Sequence, residues 1–189
     1  MRNVTQKLCI SAVLMALVCI ATLFFKVPIP LGYAHLGNAF IFLAAFLLDN
    51  PEALIVAGVG SAMADLLGGY TEWIIPTLII KCIMGFVISF IMHRGNSTNV
   101  VSVKSIAGVL AGSVVMVIGY FVAGSIIYGS IVAGAAQIPG LVSEAIVGIV
   151  LFYLLAFSLE KTGFLVSRRT QDSLLSASDF AYRVFTFFD

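Results

Sequence analysis

Charged side chains are scarce in this sequence. Asp, Glu, Lys and Arg together make up 10% of the 189 residues, whereas 61% are hydrophobic. Soluble domains carry about 25% charged residues, because polar side chains must cover their surface. This chain has too few of them to cover a globule in water, so we expect an integral, multi-pass membrane protein. The net charge of +1 also excludes a nucleic-acid binder that relies on bulk positive charge.

The sequence is also poor in residues that build metal and redox sites. Its three cysteines, Cys9, Cys19 and Cys82, lie in apolar runs, and we expect small buried side chains with neither a disulfide framework nor metal spacing. The sequence has no HExxH motif, and its two histidines, His35 and His93, fall on opposite sides of the predicted topology, which argues against a zinc protease. A GxxxxGK[ST] motif is absent, so this chain has no P-loop for ATP. We expect no metal and no cofactor.

Six apolar segments separated by polar or turn residues predict an all-α bundle of six transmembrane helices. They span residues 7–25, 36–48, 51–67, 73–92, 103–128 and 139–159. Crossing the hydrocarbon takes about 20 residues, so the short segment 36–48 is expected to be tilted, partly re-entrant or covered by its neighbours. Residues 1–165 are expected to form one substrate-binding transmembrane domain, and residues 166–189 a cytoplasmic tail.

The distribution of basic residues predicts the orientation of the bundle. With both termini in the cytoplasm, one basic residue faces outside and seven face inside, which is the asymmetry of the positive-inside rule. The outer residue is Lys26, and the inner ones are Arg2, Lys7, Arg94, Lys104, Lys161, Arg168 and Arg169.

Small residues predict where helices pack closely. Gly108 and Gly112 form a GxxxG pattern on the fifth segment, which favours packing against another helix of this chain. Ala12 and Ala16 form a small face near the cytoplasmic end of the first segment. This second face either packs within the chain or is offered to a separate protein.

Three charged residues lie within the predicted spans. Asp65, Lys81 and Glu144 would each cost about 2.5–3.5 kcal/mol on insertion, so each needs a reason. The third and fourth segments are joined by a short turn, so Asp65 and Lys81 can meet. Two interpretations stay open: a structural Asp65–Lys81 pair, or a site in which Lys81 or Glu144 meets a polar solute from outside.

The outer loops carry aromatic, amide and imidazole groups. Tyr33 and His35 lie in the first loop with Asn38 at the next segment, Trp73 ends the second loop, and Gln137 lies in the third. These groups suit a flat, uncharged heterocycle that forms hydrogen bonds, although an interfacial aromatic belt explains any single aromatic. The candidate substrate-binding residues are Tyr33, His35, Asn38, Asp65, Trp73, Lys81, Gln137 and Glu144.

Three stretches carry a family resemblance: residues 27–38 (VPIPLGYAHLGN), 60–70 (GSAMADLLGGY) and 76–81 (PTLIIK). Together with the spacing of Ala12 and Ala16, they resemble the substrate-binding S components of energy-coupling factor (ECF) transporters, which import vitamins into bacteria. The resemblance covers about residues 5–165. It is closest to the S components for pyridoxine-like vitamins or for the thiamin precursor hydroxymethylpyrimidine.

The resemblance implies a bundle around an outward-facing pocket capped by the first outer loop, in the bacterial plasma membrane. It also implies a non-catalytic subunit that joins a transmembrane coupling subunit and two ATPase subunits, with Ala12 and Ala16 at the docking face. A riboflavin-specific S component is one alternative. From other classes, the alternatives are a channel or a small membrane enzyme or chaperone that uses Asp65 and Glu144 as an acid–base pair.

Overall fold

The computed structural model describes residues 4–29, 32–94 and 100–161, and six helices form most of this part of the chain. They are α1 (Val4–Phe24), α2 (Gly37–Leu47), α3 (Glu52–Gly68), α4 (Ile74–Met92), α5 (Val103–Ile127) and α6 (Ile131–Lys161). The six-helix architecture is thus confirmed. The orientation of the termini stays a prediction, and the proposed tail at 166–189 lies outside the described residues.

Helix length divides the bundle into spanning and short helices. The segments Val4–Phe24, Thr71–Met92, Val103–Ile127 and Ile131–Lys161 are long and apolar enough to cross a membrane. Helix α2 has 11 residues, of which nine are buried. Its neighbours therefore cover it, which is one of the three arrangements expected for the short segment.

The longer helices wrap around α2. In spatial order α1 contacts α3, α3 contacts α4, α4 contacts α5, and α5 contacts α6, while α2 contacts α1, α3, α4 and α6. Phe42 and Phe46 of α2 both pack edge-on against Phe152 of α6, with ring centroids 6.1 and 6.0 Å apart. The buried position of α2 places its first residues in the interior of the bundle, and the polar cluster described below begins there.

Small residues allow the close helix contacts. A Cβ atom on Gly60 would lie 3.0 Å from the Met15 carbonyl oxygen of α1, and one on Gly108 would lie 3.2 Å from the Ile88 carbonyl oxygen of α4. Gly112 also faces Ile88. Packing within the chain, the interpretation favoured for Gly108 and Gly112, is confirmed. The expectation of buried cysteines was wrong, since Cys9 is exposed and the other two are half-buried: in lipid the outer faces of helices are apolar as well.

The segment between α1 and α2, predicted as the first outer loop, forms a β-hairpin that the helical prediction did not include. Strand β1 (Lys26–Ile29) pairs antiparallel with β2 (Gly32–His35), in a register that places Lys26 opposite His35. The Leu36 N–H donates to the Phe25 carbonyl oxygen at 3.2 Å and closes the hairpin. The pairing satisfies backbone groups that a loop packed on the bundle would otherwise leave without partners.

Helix α6 begins at Ile131, eight residues before the predicted start, and Pro139 lies inside it. Proline is common at the first helical position, which is why the sequence favoured a start there. The additional turns pack against α5, where a side chain on Gly134 would collide with the Phe121 carbonyl oxygen at 2.6 Å. Tertiary packing thus extends the helix through the proline.

The acidic turn between α2 and α3 is held by basic partners at the opposite end of the bundle from the hairpin. The Lys7 ammonium of α1 lies 3.9 Å from Asp49 Oδ2 and 3.5 Å from Glu52 Oε1. His93, at the end of α4, places Nε2 3.4 Å from Asp49 Oδ1. These contacts join α1, the turn and α4 at one end, and because the groups are partly exposed each is worth at most about 1 kcal/mol.

Replacing Gly85 by Ala tests the α3–α4 contact. The new Cβ would lie 2.8 Å from Ala57 Cβ and 2.9 Å from the Ala53 carbonyl oxygen, so the helices must separate, at a cost of about 1–3 kcal/mol. We expect a lower unfolding midpoint in mixed detergent micelles. Phe86→Leu, at a lipid-facing position of the same turn, is the control, and equal midpoints for the two variants would contradict the contact.

Candidate functional site

Four polar side chains from four elements meet in the interior of the bundle. They come from His35 at the end of β2, Asn38 in the first turn of α2, Lys81 in α4 and Glu144 in α6. Lys81 is 0% exposed, and the other three are at most 7% exposed. All four were predicted from the sequence as candidate binding residues, and the structure brings them together.

Asn38 lies at the centre of this cluster and bridges its two charged groups. Its Oδ1 accepts a hydrogen bond from Lys81 Nζ at 2.7 Å, and its Nδ2 donates to Glu144 Oε1 at 2.7 Å. Lys81 Nζ also lies 3.7 Å from Glu144 Oε1. A buried charge is tolerated only when it is paired and hydrogen-bonded, and the Asn38 amide supplies part of that pairing to both partners.

His35 connects the hairpin to the cluster. Burial, followed by the nearby Lys81 ammonium, holds the pKa of His35 well below its ordinary value, so the imidazole is neutral at physiological pH. Its Nδ1 accepts a hydrogen bond from the Gly37 N–H at 3.1 Å, which leaves the ring proton on Nε2. His35 Nε2 lies 3.4 Å from Glu144 Oε1. The neutral imidazole N–H therefore faces the Glu144 carboxylate as a donor.

Two glycines allow these side chains to approach one another. A Cβ atom on Gly148, one turn after Glu144 on α6, would lie 2.9 Å from Asn38 Cβ. A side chain at Gly37 would collide with Thr22 of α1 and with the His35 ring. Helix α2 can therefore lie against α6 and the hairpin closely enough for Asn38 and His35 to reach the same carboxylate oxygen.

Aromatic rings extend the site from Lys81 towards the hairpin end. The Lys81 ammonium lies 5.4 Å from the centre of the Tyr120 ring, and the Tyr120 hydroxyl donates to Thr77 Oγ1 at 3.1 Å. Trp73 packs against Tyr120 and Tyr128 at 5.6 and 6.2 Å between ring centroids. Trp73 is only 6% exposed, so it belongs to the interior more than to an interfacial belt.

Asp65, Gln137 and Tyr33 are the remaining binding residues predicted from the sequence. Asp65 is buried on α3 and acts electrostatically on the Lys81 ammonium. The Glu144 carboxylate lies within 4 Å of Lys81 Nζ. Gln137 is buried against Gly124, and its Nε2 has no hydrogen-bond partner among the described residues. The backbone of Tyr33 pairs with Pro28, while its side chain lies outside what is described.

The sequence interpretation did not include Met116, Tyr120 and Thr77. Met116 Sδ lies 3.0 Å from Asn38 Nδ2 and 3.3 Å from Lys81 Nζ, and Tyr120 follows one turn later on α5. A tyrosine within a long apolar run is the signal that could have identified this face of α5. Among residues 4–29, 32–94 and 100–161, no group of three or more His, Cys, Asp or Glu residues is placed to hold a metal ion.

Comparison with known proteins places the sequence in a family. Residues 2–161 match the family described as "ECF-type riboflavin transporter, S component". An uncharacterized protein of Pyrococcus woesei is 32% identical over 147 residues, which cover 76% of this chain and 95% of that protein. The thiamine precursor transporter HmpT of Lactococcus lactis subsp. cremoris (strain MG1363) is 29% identical over 166 residues, or 85% of this chain and 91% of HmpT.

Lys81→Met tests the charge balance of the cluster. The change leaves the Glu144 carboxylate and Asn38 Oδ1 without the ammonium, and breaking a buried pair costs about 3–5 kcal/mol. We expect a large fall in the thermal unfolding midpoint in detergent. In the Lys81→Met background, Glu144→Gln removes the uncompensated charge and should restore part of the loss, since the two residues are coupled.

Lys161→Met, at an exposed position near the end of α6, is the matched control and should leave the midpoint unchanged. If Lys81→Met were as stable as Lys161→Met, the Lys81–Glu144 pair would not be part of the structural balance of the bundle.

Proposed function

Since this chain belongs to the family of ECF-type transporter S components, a family of non-catalytic subunits for uptake of vitamins and their precursors, we propose that its ligand is a hydroxymethylpyrimidine-type thiamin precursor. The ligand site is the cluster of His35, Asn38, Lys81 and Glu144 with the neighbouring Trp73. The enzyme interpretation of Asp65 and Glu144 is set aside, because the chain is a multi-pass transport protein.

The single observation that supports this site is the concentration of buried donors and acceptors at one point of an otherwise apolar bundle. Lys81 and Asn38 donate, Glu144 and Asn38 accept, and their contacts span 2.7–3.7 Å. An aminopyrimidine offers the complementary set, because its amino group donates, its ring nitrogens accept and its hydroxymethyl group does both. The Trp73 and Tyr120 rings offer faces for a flat ligand.

The size of the cluster favours one ring over three. A flavin would extend well beyond four side chains in mutual contact and would have to engage further groups. Gln137 is the nearest such group on the buried face of α6, seven residues before Glu144, which is about 10 Å along the helix. The relative HmpT, a thiamine precursor transporter, supports the single-ring ligand. Riboflavin is the second candidate, because the family description names it.

We also propose that the end of the bundle with Lys7 and His93 faces the cytoplasm and that the hairpin faces outside. Ala12 and Ala16 are exposed on α1, on a face of the helix that neither α2 nor α3 covers. Small residues allow another helix to approach closely in lipid. This face is therefore the proposed docking site for a transmembrane coupling subunit, which two ATPase subunits would complete.

Titration of the purified chain with hydroxymethylpyrimidine, pyridoxine and riboflavin tests the ligand. We expect hydroxymethylpyrimidine to bind at least about 100-fold more tightly than riboflavin, a difference of about 2.7 kcal/mol. Native mass spectrometry of the same preparation identifies any small molecule that co-purifies. A preference for riboflavin would make riboflavin, and not hydroxymethylpyrimidine, the ligand. A chain that binds none of the three would overturn the assignment of the site.

Glu144→Gln tests whether the ligand binds at the cluster. Removing a buried, hydrogen-bonded charge costs about 2–5 kcal/mol of binding free energy, so the affinity for hydroxymethylpyrimidine should fall by at least about 30-fold. Ser143→Ala changes the exposed neighbour, whose hydroxyl donates to the Pro139 carbonyl oxygen, and should bind normally. Equal affinities for the two variants would place the ligand elsewhere.

Ala12→Trp or Ala16→Trp tests the docking face. The large side chain should prevent co-purification with the coupling subunit and leave the affinity for hydroxymethylpyrimidine unchanged, because α1 contributes neither of these alanines to the cluster. Ala107→Trp, at an exposed alanine of α5, is the matched control and should assemble normally. Loss of ligand binding together with assembly would show that this face of α1 is structural.

A further inference from the structure

The Met116 sulfur of α5 occupies a point where two buried donors converge. Asn38 Nδ2 donates to it at 3.0 Å from α2, and Lys81 Nζ donates to it at 3.3 Å from α4. All three residues are 0% exposed. A thioether is a weak acceptor, so two strong donors are here held by one weak partner.

The other contacts of these donors show why this point matters. Asn38 donates one N–H to Glu144 Oε1, and its Oδ1 accepts from Lys81 Nζ. Lys81 Nζ lies 3.7 Å from Glu144 Oε1. The second N–H of Asn38 and one N–H of Lys81 are therefore directed at the sulfur. A stronger acceptor at this point would gain two hydrogen bonds without disturbing the Asn38 bridge.

We propose that Met116 is a specificity-determining residue whose sulfur competes with the ligand for these two donors, and that the ligand atom that replaces it is a hydroxyl oxygen. The inference rests on the proposed function and names the group that the site selects. One atom must accept from two directions, which requires two lone pairs. A hydroxyl oxygen has two, whereas a pyrimidine ring nitrogen has one. For the ligand oxygen to take the place of the sulfur, the Met116 side chain must adopt another rotamer. Its unbranched, flexible chain permits this.

Met116→Leu separates the sulfur from the volume of the side chain. Leucine fills a similar space but accepts no hydrogen bond, so both donors lose a partner until the ligand hydroxyl arrives. We expect the unfolding midpoint without added ligand to fall and the affinity for hydroxymethylpyrimidine to rise about three- to tenfold, the factor that one net hydrogen bond represents.

A second probe makes the test specific to the hydroxyl. The analogue that carries a methyl group in place of the hydroxymethyl group cannot replace the sulfur, so Met116→Leu should not raise its affinity. Met84→Leu is the matched control, since Met84 is equally buried on α4 and should bind both probes like the unmodified chain. The measurement is a titration of each variant with each probe.

The outcomes separate this inference from the proposed function. If the unmodified chain binds hydroxymethylpyrimidine but Met116→Leu binds it equally or more weakly, Met116 does not compete with the ligand. If Met116→Leu raises the affinities of both probes equally, the replaced atom is not the hydroxyl. If the unmodified chain binds neither probe, the proposed ligand fails, and this inference fails with it.

Discussion

The arrangement of the bundle depends on the need to hold a lysine and a glutamate together away from water. Lys81 and Glu144 come from helices on different sides of α2, and Asn38 forms hydrogen bonds to both. In a low-dielectric interior an unpaired charge is far more costly than a paired one. Gly148 and Gly37, which allow α2 to approach its neighbours, therefore contribute to electrostatics as well as to packing.

The two ends of the molecule use charge differently. In the cluster near the hairpin end, Lys81 and Glu144 are buried and make directed contacts within a few ångströms. At the opposite end Lys7, Asp49 and His93 are partly exposed and join helix termini with weak contacts. The first arrangement suits selective recognition of a small polar molecule. The second leaves this end of the bundle free to adjust, which is compatible with a surface that meets another subunit.

How much of the fold and of the site could be predicted from the sequence depends on how strong the local signal of each feature is. Apolar segments and the polar or turn residues between them indicated six helices, and the cost of intramembrane charge singled out Asp65, Lys81 and Glu144. The partner of Lys81 was harder to predict, because α3 adjoins α4 in sequence whereas contact with α6 depends on how the helices close around α2. The role proposed for Met116 and the extension of α6 through Pro139 depend on tertiary packing. Tyr120 marks the face of α5 on which Met116 lies, but no local signal distinguishes Met116 itself in the apolar run.

The shortness of α2 has a consequence for transport. Its 11 residues extend about 16 Å, roughly half of a 30 Å hydrocarbon layer, and after Asn38 its residues are apolar through Leu47. A solute held by Asn38 therefore faces an apolar barrier, not a polar path, on its way to the other surface. In the proposed function the chain by itself is therefore a receptor rather than a conduit, and release on the far side would require the whole protein or its assembly to move.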